Sequence, residues 1–156
     1  MALPRLVSPL FRSRFTVPPV TPFKRTMSSS LKPVFTAQAP KALGPYSQAI
    51  IANNVAYLSG QIGFTPEGVM VGSDVQSQTR QALTNAQAVL KSAHSDLDKV
   101  IKTTVFLQNM DDFDAMNQVY AEMFGEHRPA RSAFQVAKLP KGALVEIECV
   151  AMVNSD

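Results

Sequence analysis

The chain has 156 residues, the length of one domain of ordinary size, and its formal charge of +3 is unevenly spread. Residues 1–30 hold five basic groups and no acid, whereas the remainder holds ten basic and twelve acidic groups, which disfavours a basic nucleic-acid-binding domain. One cysteine excludes an intrachain disulfide, and the sequence lacks clustered metal ligands, a Gly-rich phosphate loop and the ~20-residue apolar run of a membrane-spanning helix.

The first thirty residues have the composition of a targeting segment. They are rich in Arg, Ser and Pro, and arginines alternate with apolar residues along the first half. This pattern is typical of a mitochondrial transit peptide and lacks the continuous apolar stretch of a secretory signal. We therefore predict a leader over 1–30, a mitochondrial matrix location and one domain over 31–156. A disordered basic arm is the alternative, and Met27 offers an internal start that would give a cytosolic form.

Short strands alternate with two helices in the body of the chain. The predicted strands are 33–37, 48–52, 55–59, 100–107, 131–137 and 144–153. Between the second and third strands, Asn53-Asn54 predicts a tight hairpin, because asparagine tolerates a positive φ. Further turns are predicted at 65–68 and 140–142 from their Pro and Gly residues.

Two amphipathic helices are predicted. The first follows Ser73 or Asp74, either of which can cap it, and its apolar and small residues recur every three or four positions to Ala93. The second begins with Asp111 as its N-cap and ends at Gly125. Its apolar stripe, at a spacing typical of core residues, comprises Phe113, Met116, Tyr120, Met123 and Phe124. This element order predicts an α+β sheet with two helices on one face, and an uncovered apolar face would indicate oligomerisation.

The last predicted strand carries two carboxylates. Because strand side chains alternate, Glu146 and Glu148 project from one face, about 6–7 Å apart. The opposite face takes Val145, Ile147, Cys149, Ala151 and Val153. Two interpretations stay open: a solvated face with two ordinary acids, or a carboxylate in a partly buried pocket that handles a water or a proton.

Two further side chains are candidates for ligand binding. Arg131 begins a predicted strand, and its planar fork of donors suits a carboxylate or a phosphate. The alternative is a surface ion pair with Glu146 or Glu148. Tyr46 lies in a rigid Gly-Pro-Tyr loop that could hold an aromatic ring over a ligand, and the alternative is a buried core tyrosine.

Six short motifs identify a family resemblance. They are Gly44-Pro-Tyr-Ser-Gln-Ala49, Leu58-Ser-Gly-Gln-Ile62, Val100-Ile-Lys-Thr-Thr-Val-Phe106, Asp112-Phe113 with Asn117, Pro129-Ala-Arg-Ser132, and Leu139-Pro140 followed by Val145-Glu-Ile-Glu148. In this order, they resemble the reactive intermediate deaminase A family from about Lys32 to Val153, and the leader resembles its mitochondrial branch. The resemblance implies a chorismate-mutase-like fold of the bacillus type, with a six-stranded mixed sheet and two helices on one face. It also implies a homotrimeric barrel with sites between subunits.

The resemblance also implies an activity. Members of the family hydrolyse imines and enamines released by pyridoxal-phosphate dehydratases, such as 2-iminobutanoate, 2-iminopropanoate and 2-aminoacrylate, to 2-oxo acids and ammonia. The chemistry needs neither cofactor nor metal, and the expected partners are a small 2-imino acid and two further copies of the chain rather than a membrane or a nucleic acid. Such an enzyme would protect pyridoxal-phosphate enzymes and support isoleucine biosynthesis and mitochondrial genome maintenance.

The resemblance assigns roles to particular residues. Arg131 corresponds to the arginine that grips the substrate carboxylate, and Glu146 to the glutamate that positions or activates the attacking water. Tyr46 corresponds to the tyrosine that lines the pocket, Glu148 to a structural position, and Ser59, Gly60 and Asn117 to positions near the ligand or supporting the site. One departure is Ala133, where many members carry a cysteine, so thiol-dependent reactivity at that position is not expected.

Two other functions remain open at this stage. One is a non-catalytic, ligand-binding mitochondrial matrix factor. The other is the RNA cleavage and translation inhibition ascribed to some relatives, against which the mildly acidic body and the absence of a basic aromatic groove both weigh.

Overall fold

The structure is a computed structural model that describes residues 31–154, so the predictions for the leader lie outside the described residues. Its strands are β1 (Lys32–Val34), β2 (Ala49–Ala52), β3 (Val55–Ile62), β4 (Val100–Leu107), β5 (Ala130–Gln135) and β6 (Val145–Met152). Its helices are α1 (Val75–Ser92) and α2 (Phe113–Phe124), with short 3₁₀ turns at Leu97–Lys99, Met110–Asp112 and Pro140–Gly142. The predicted element order and the α+β class are confirmed. No helix within the described residues is long and apolar enough to cross a membrane.

The six strands form one mixed sheet in the order β1-β2-β3-β6-β4-β5. All neighbouring pairs are antiparallel except β4 and β5, which are parallel and joined by the crossover helix α2. Strand β6 therefore lies in the interior of the sheet, between β3 and β4, whereas β5 lies at its edge. Strand β6, which carries the two glutamates, is therefore hydrogen-bonded to a strand on each side, whereas β5, which carries Arg131, is hydrogen-bonded to β4 alone.

Local sequence explains the hairpin and the first helix. Asn53 and Asn54 take φ values of 51° and 60°, which is the backbone of the tight hairpin turn predicted between β2 and β3. Asp74 caps α1, because its Oδ1 accepts a hydrogen bond of 2.8 Å from the backbone N–H of Ser77. Of the two predicted caps, Asp74 is therefore the correct one.

The predicted N-cap of the second helix is wrong. Asp111 lies inside the 3₁₀ turn, and the side chain of Asn109 caps that turn by accepting from the Asp111 N–H at 3.1 Å. Helix α2 begins at Phe113 without a side-chain cap, and it ends at Gly125, where φ is 58°. The local asparagine bond competes with an ordinary helix start and tightens the first turn.

Both helices pack on one face of the sheet and leave the other open. The core between sheet and helices includes Leu83, Val89 and Leu90 of α1, Met116 and Tyr120 of α2, and Val105, Val145, Ile147 and Ala151 of the central strands. On the open face, Tyr57, Phe134 and Met152 are 51%, 44% and 49% exposed. Large apolar side chains on an uncovered sheet face favour burial against another surface.

Candidate active site

Glu146 lies near the start of β6, on the open face of the sheet. It is paired with Ile62 of β3 and Phe106 of β4, and its side chain is half-buried. Burial raises the pKa of Glu146 above its ordinary value, and the negative charge of Glu148 on the same face adds to the shift. Glu148 is exposed. Each of the two predicted interpretations therefore fits one of the residues. Glu148 is a solvated acid, and Glu146 is a partly buried carboxylate with a raised pKa.

A β-bulge brings Gly60 against the Glu146 carboxylate. Leu58 pairs with Cys149 and Gln61 with Ile147, so β3 holds one more residue than β6 between these pairs. A Cβ built on Gly60 would lie 1.8 Å from Oε1 of Glu146. Only glycine leaves room for the carboxylate in this position.

The Gly-Pro-Tyr loop lies beside this bulge. The ring of Tyr46 is 49% exposed, which contradicts the alternative of a buried core tyrosine, and its hydroxyl accepts from the Leu43 N–H at 3.0 Å. Ser59 ties the loop to β3, because its Oγ donates to the Ser47 carbonyl at 2.7 Å. Tyr46 and Gly60 line the same small cleft of about 30 Å³.

Gln48 holds the segment that leads into that loop, and it was not among the predicted site residues. Its side chain is 4% exposed. Its Oε1 accepts from the Thr36 N–H at 2.7 Å, and its Nε2 donates to the Pro40 carbonyl at 2.8 Å. Its position inside one of the six motifs was the available signal.

Arg131 lies on the opposite, helix-bearing face of the sheet. Its guanidinium carbon is 4.6 Å from the ring centroid of Tyr120 and 5.6 Å from that of Phe113, both on α2. The hydroxyl of Tyr120 in turn shares a 2.7 Å hydrogen bond with Thr103. Tyr120 and Phe113 were predicted only as core residues, and nothing in the helical spacing indicated that they hold an arginine.

Asn117 shares a cavity with Arg131. The cavity measures about 460 Å³ and is also lined by His127, Arg128 and Phe124. Nε2 of His127 lies 2.7 Å from the Val100 carbonyl oxygen, and the guanidinium of Arg128 donates to the carbonyls of Gly125 and His127. Arg128 is thus occupied by backbone oxygens, whereas the fork of Arg131 stacks on aromatic rings.

The site residues therefore form two separate groups within one chain. Arg131 pairs with Thr103 of β4, and Glu146 pairs with Phe106 of the same strand. Thr103 and Phe106 are three residues apart, so they and their partners face opposite sides of the sheet. Tyr46, Ser59, Gly60 and Glu146 lie together, and Arg131 and Asn117 lie together elsewhere. The alternative of an ion pair between Arg131 and a glutamate of β6 is contradicted by this geometry.

Cys149 is on the core face of β6, as predicted. Burial, with the charge of Glu148, raises the pKa of its thiol to about 12. The thiol therefore stays protonated at neutral pH and packs as an apolar group.

The comparisons with known proteins agree with this architecture. Residues 36–153 match the family described as Endoribonuclease L-PSP. A human protein named 2-iminobutanoate/2-iminopropanoate deaminase is 47% identical over 128 residues, which are 81% of this chain and 93% of the human one. An Arabidopsis thaliana protein named Reactive Intermediate Deaminase A, chloroplastic, is 46% identical over 144 residues, 91% of this chain and 77% of that one.

Solved structures show the same fold. The crystal structure of Escherichia coli TdcF with bound serine matches with a TM-score of 0.75 and 39% identity, over 79% of this chain and 99% of that chain. The class is therefore a chorismate-mutase-like α+β domain, with a six-stranded mixed sheet and two helices on one face. Within that class, the chain belongs to the Endoribonuclease L-PSP family, which includes the reactive intermediate deaminase A proteins, and the predicted resemblance is confirmed.

Proposed function

We propose that this protein is an enzyme that hydrolyses 2-imino and enamine acids, including 2-iminobutanoate and 2-iminopropanoate, to 2-oxo acids and ammonia. The names of the human and plant relatives support the reaction class. The observation in this chain that carries the proposal is the half-buried carboxylate of Glu146, which is seated against Gly60 with a raised pKa. A carboxylate in such a place can exchange a proton with water at a pH nearer neutrality than an exposed one can.

The reaction is balanced by one water molecule. The oxygen of that water attacks the imine carbon, the electron pair of the C=N bond moves to nitrogen, and Glu146 accepts the proton that the water loses. The nitrogen takes a proton from solvent, which gives a carbinolamine. Glu146 then returns its proton to that nitrogen, and ammonia leaves as the hydroxyl group loses its proton to solvent and the C=O bond of the 2-oxo acid forms. Arg131 binds the substrate carboxylate through two parallel N–H donors and so fixes the imine carbon relative to the water.

We further propose that each site is formed between two copies of the chain, in a homotrimer. A three- or four-carbon acid cannot touch Arg131 and Glu146 of one chain, because they face opposite sides of its sheet. The open sheet face with Tyr57 and Met152 and the helix-bearing side of the edge strand β5, which carries Arg131, are two unlike surfaces, and their contact would be head-to-tail, a type that can close into a ring. Sedimentation should give about three chain masses, and a single 17.0 kDa species would contradict the proposal.

The direct test couples the purified protein to threonine dehydratase, with semicarbazide competing for the imine. We expect 2-oxobutanoate to form faster and the semicarbazone yield to fall as the protein is added. An unchanged semicarbazone yield would contradict the enzyme and leave a ligand-binding matrix factor as the better account.

RNA cleavage is the second candidate, because the description of the matching family names an endoribonuclease. We place it second because residues 31–156 carry ten basic and twelve acidic groups, a poor balance for phosphate-backbone binding. Incubation with single-stranded RNA should leave it intact, with Glu146→Gln as the matched control. Cleavage by the wild type alone would move this function to first place.

The mitochondrial role is also a proposal. The match to the plant relative named chloroplastic covers 91% of the chain and supports a location in an organelle. The composition of residues 1–30 favours mitochondria as that organelle. There the enzyme would protect pyridoxal-phosphate enzymes, supply 2-oxobutanoate for isoleucine and help to maintain the mitochondrial genome. Residues 1–30 fused to a fluorescent protein should direct it to mitochondria, and a cytosolic fusion would contradict this.

Gly60→Ala should lower kcat for imine hydrolysis by about 10- to 100-fold. The added methyl occupies the place of Oε1 of Glu146 and turns the carboxylate away from the water. Folding should change little, because the displaced atoms end a flexible side chain. Gly44→Ala is the matched control, since its Cβ would lie 3.7 Å from the Tyr46 ring, an ordinary contact. Steady-state rates and thermal unfolding measure both effects, and equal rates for the two variants would contradict the role of Gly60.

The activity should fall in acid at a pH set by Glu146. Its carboxylate must be ionised to accept a proton, and its pKa lies above the ordinary value of about 4.3. The acid limb of kcat/KM should therefore have its midpoint above that value. Glu148→Gln removes the repelling charge and should move the limb to lower pH, and an unmoved limb would show that another group sets it.

A further inference from the structure

We propose that Gln78 is a positioning residue for the Glu146 carboxylate and acts with Asn85. The two amides of α1 hold the end of β3 and the start of β6 in the alignment that seats Glu146 against Gly60. The inference rests on the proposed function for its catalytic consequence, although its structural part can be tested separately.

Gln78 ties α1 to the segment that leads into β6. Its side chain is 3% exposed, and its Oε1 accepts from the N–H of Leu144 at 2.8 Å. Leu144 is two residues before Glu146. Nε2 of Gln78 donates to the Gly72 carbonyl oxygen at 3.5 Å. A Cβ on Gly63 would lie 2.8 Å from Cα of Gln78, so the helix approaches the end of β3 as closely as glycine permits.

Asn85 ties the same helix to the end of β3. It is fully buried, and its Nδ2 donates to the carbonyls of Ile62 at 3.1 Å and Phe64 at 2.8 Å. Its Oδ1 accepts from Nε2 of Gln81 at 2.9 Å. Asn85 is seven residues from Gln78, which is two helical turns, so both amides lie on one side of α1.

These bonds converge on the residues that fix Glu146. Ile62, whose carbonyl Asn85 holds, is the direct pairing partner of Glu146 on β3. Leu144, which donates its N–H to Gln78, immediately precedes the first residue of β6. The bulge between Leu58 and Gln61 lies just before Ile62, and a slip of one residue there would turn Glu146 to the other face of the sheet.

The burial of the two amides also needs an explanation. Most of the neighbouring buried positions on this side of α1 are apolar, namely Val75, Ala82, Leu83, Ala86 and Val89, and the hydroxyl of the polar exception, Thr79, donates to the Val75 carbonyl within the same helix. A buried amide is costly unless its polar atoms are bonded, and an apolar side chain of similar length would avoid that cost. Fixing strand ends to the helix is a role that an apolar side chain cannot perform.

The test compares Gln78→Met with two matched variants. Methionine is of similar length and cannot accept the Leu144 bond, so we expect kcat to fall about tenfold while KM, which depends on Arg131 of another strand, stays near wild type. The acid limb of the pH profile should move to lower pH as Glu146 shifts towards water. Gln78→Glu should retain activity, because burial favours the protonated acid, which keeps the acceptor for the Leu144 N–H and a donor for the Gly72 carbonyl. Gln76→Met, which removes an exposed 3.0 Å bond to Gln118 of α2, should behave as wild type.

Amide hydrogen exchange supplies a readout that does not need activity. The Leu144 and Glu146 amides should exchange faster in Gln78→Met than in Gln76→Met. If Gln78→Met does not fold, Gln78→Ala, which leaves room for water at the Leu144 amide, should show the same loss of kcat. A wild type without imine hydrolysis would overturn the proposed function, and exchange would still test the alignment. An active wild type with equal kcat, pH profile and exchange in Gln78→Met and Gln76→Met would overturn the positioning role.

Discussion

Arg131→Ala is expected to lower kcat/KM for 2-imino acid hydrolysis by about 10²- to 10⁴-fold, the loss of two charge-assisted hydrogen bonds at roughly 1.5–3 kcal/mol each. Thermal unfolding should change little, because the side chain is exposed at the edge strand and stacks on Tyr120 and Phe113 from one side. Arg131→Lys keeps the charge without the planar fork and should fall between alanine and wild type. The semicarbazide competition assay measures all three.

The chain offers a matched control for this experiment. Arg128 lines the same cavity, but its guanidinium donates to backbone carbonyls. Arg128→Ala should therefore leave kcat/KM within a few-fold of wild type. If Arg131→Ala is as active as Arg128→Ala, Arg131 does not bind the substrate carboxylate.

Glu146→Gln is expected to lower kcat by about 10²- to 10⁴-fold, the usual contribution of a general base. The same change should leave stability at neutral pH unchanged or raised. The carboxylate of Glu146 has a higher pKa when folded than when unfolded, so folding is opposed once the unfolded group ionises. This destabilisation is absent below the pKa of Glu146 in the unfolded chain, about 4.3, and it reaches its full size above the pKa of Glu146 in the folded protein.

Thermal unfolding as a function of pH checks that second effect. The difference between Glu146→Gln and wild type should be largest at neutral pH and should vanish in acid. Glu148→Gln, on the same face but exposed, should show a smaller stability change and retain most of the activity. A glutamine variant that is active, or one that is clearly less stable at neutral pH, would contradict the assignment of Glu146.

Several parts of the fold followed from short-range sequence patterns. The Asn53-Asn54 turn, the bounds of β4 and the alternation of Glu146 with Cys149 depend on neighbouring residues, and the structure confirms each. The start of α2 also depends on neighbouring residues, but the cap predicted for it, Asp111, was wrong. The side chain of Asn109 caps a 3₁₀ turn that contains Asp111, so Asp111 lies within that turn and does not cap the helix.

The arrangement of the candidate site depends on pairing between distant strands. The contact of Gly60 with Glu146 requires a bulge in β3. A glycine within a strand indicates a bulge or a close approach, but it does not say which residue of the partner strand lies against it. Arg131 and Glu146 lie on opposite faces because of the registers of β5 and β6 against β4. A shift of one residue in either register would place both side chains on the same face of the sheet. The sequence supplied the residues through their motifs, whereas only the folded sheet shows that one chain cannot bring them together.

The most direct test of a shared site is to mix two inactive variants. Arg131→Ala and Glu146→Gln chains, unfolded together in equal amounts and refolded, should regain about one quarter of wild-type imine hydrolysis, because each site takes its arginine and its glutamate from different copies at random. The two variants refolded separately and then combined serve as the control. A refolded mixture that stays as inactive as its parents would contradict the account.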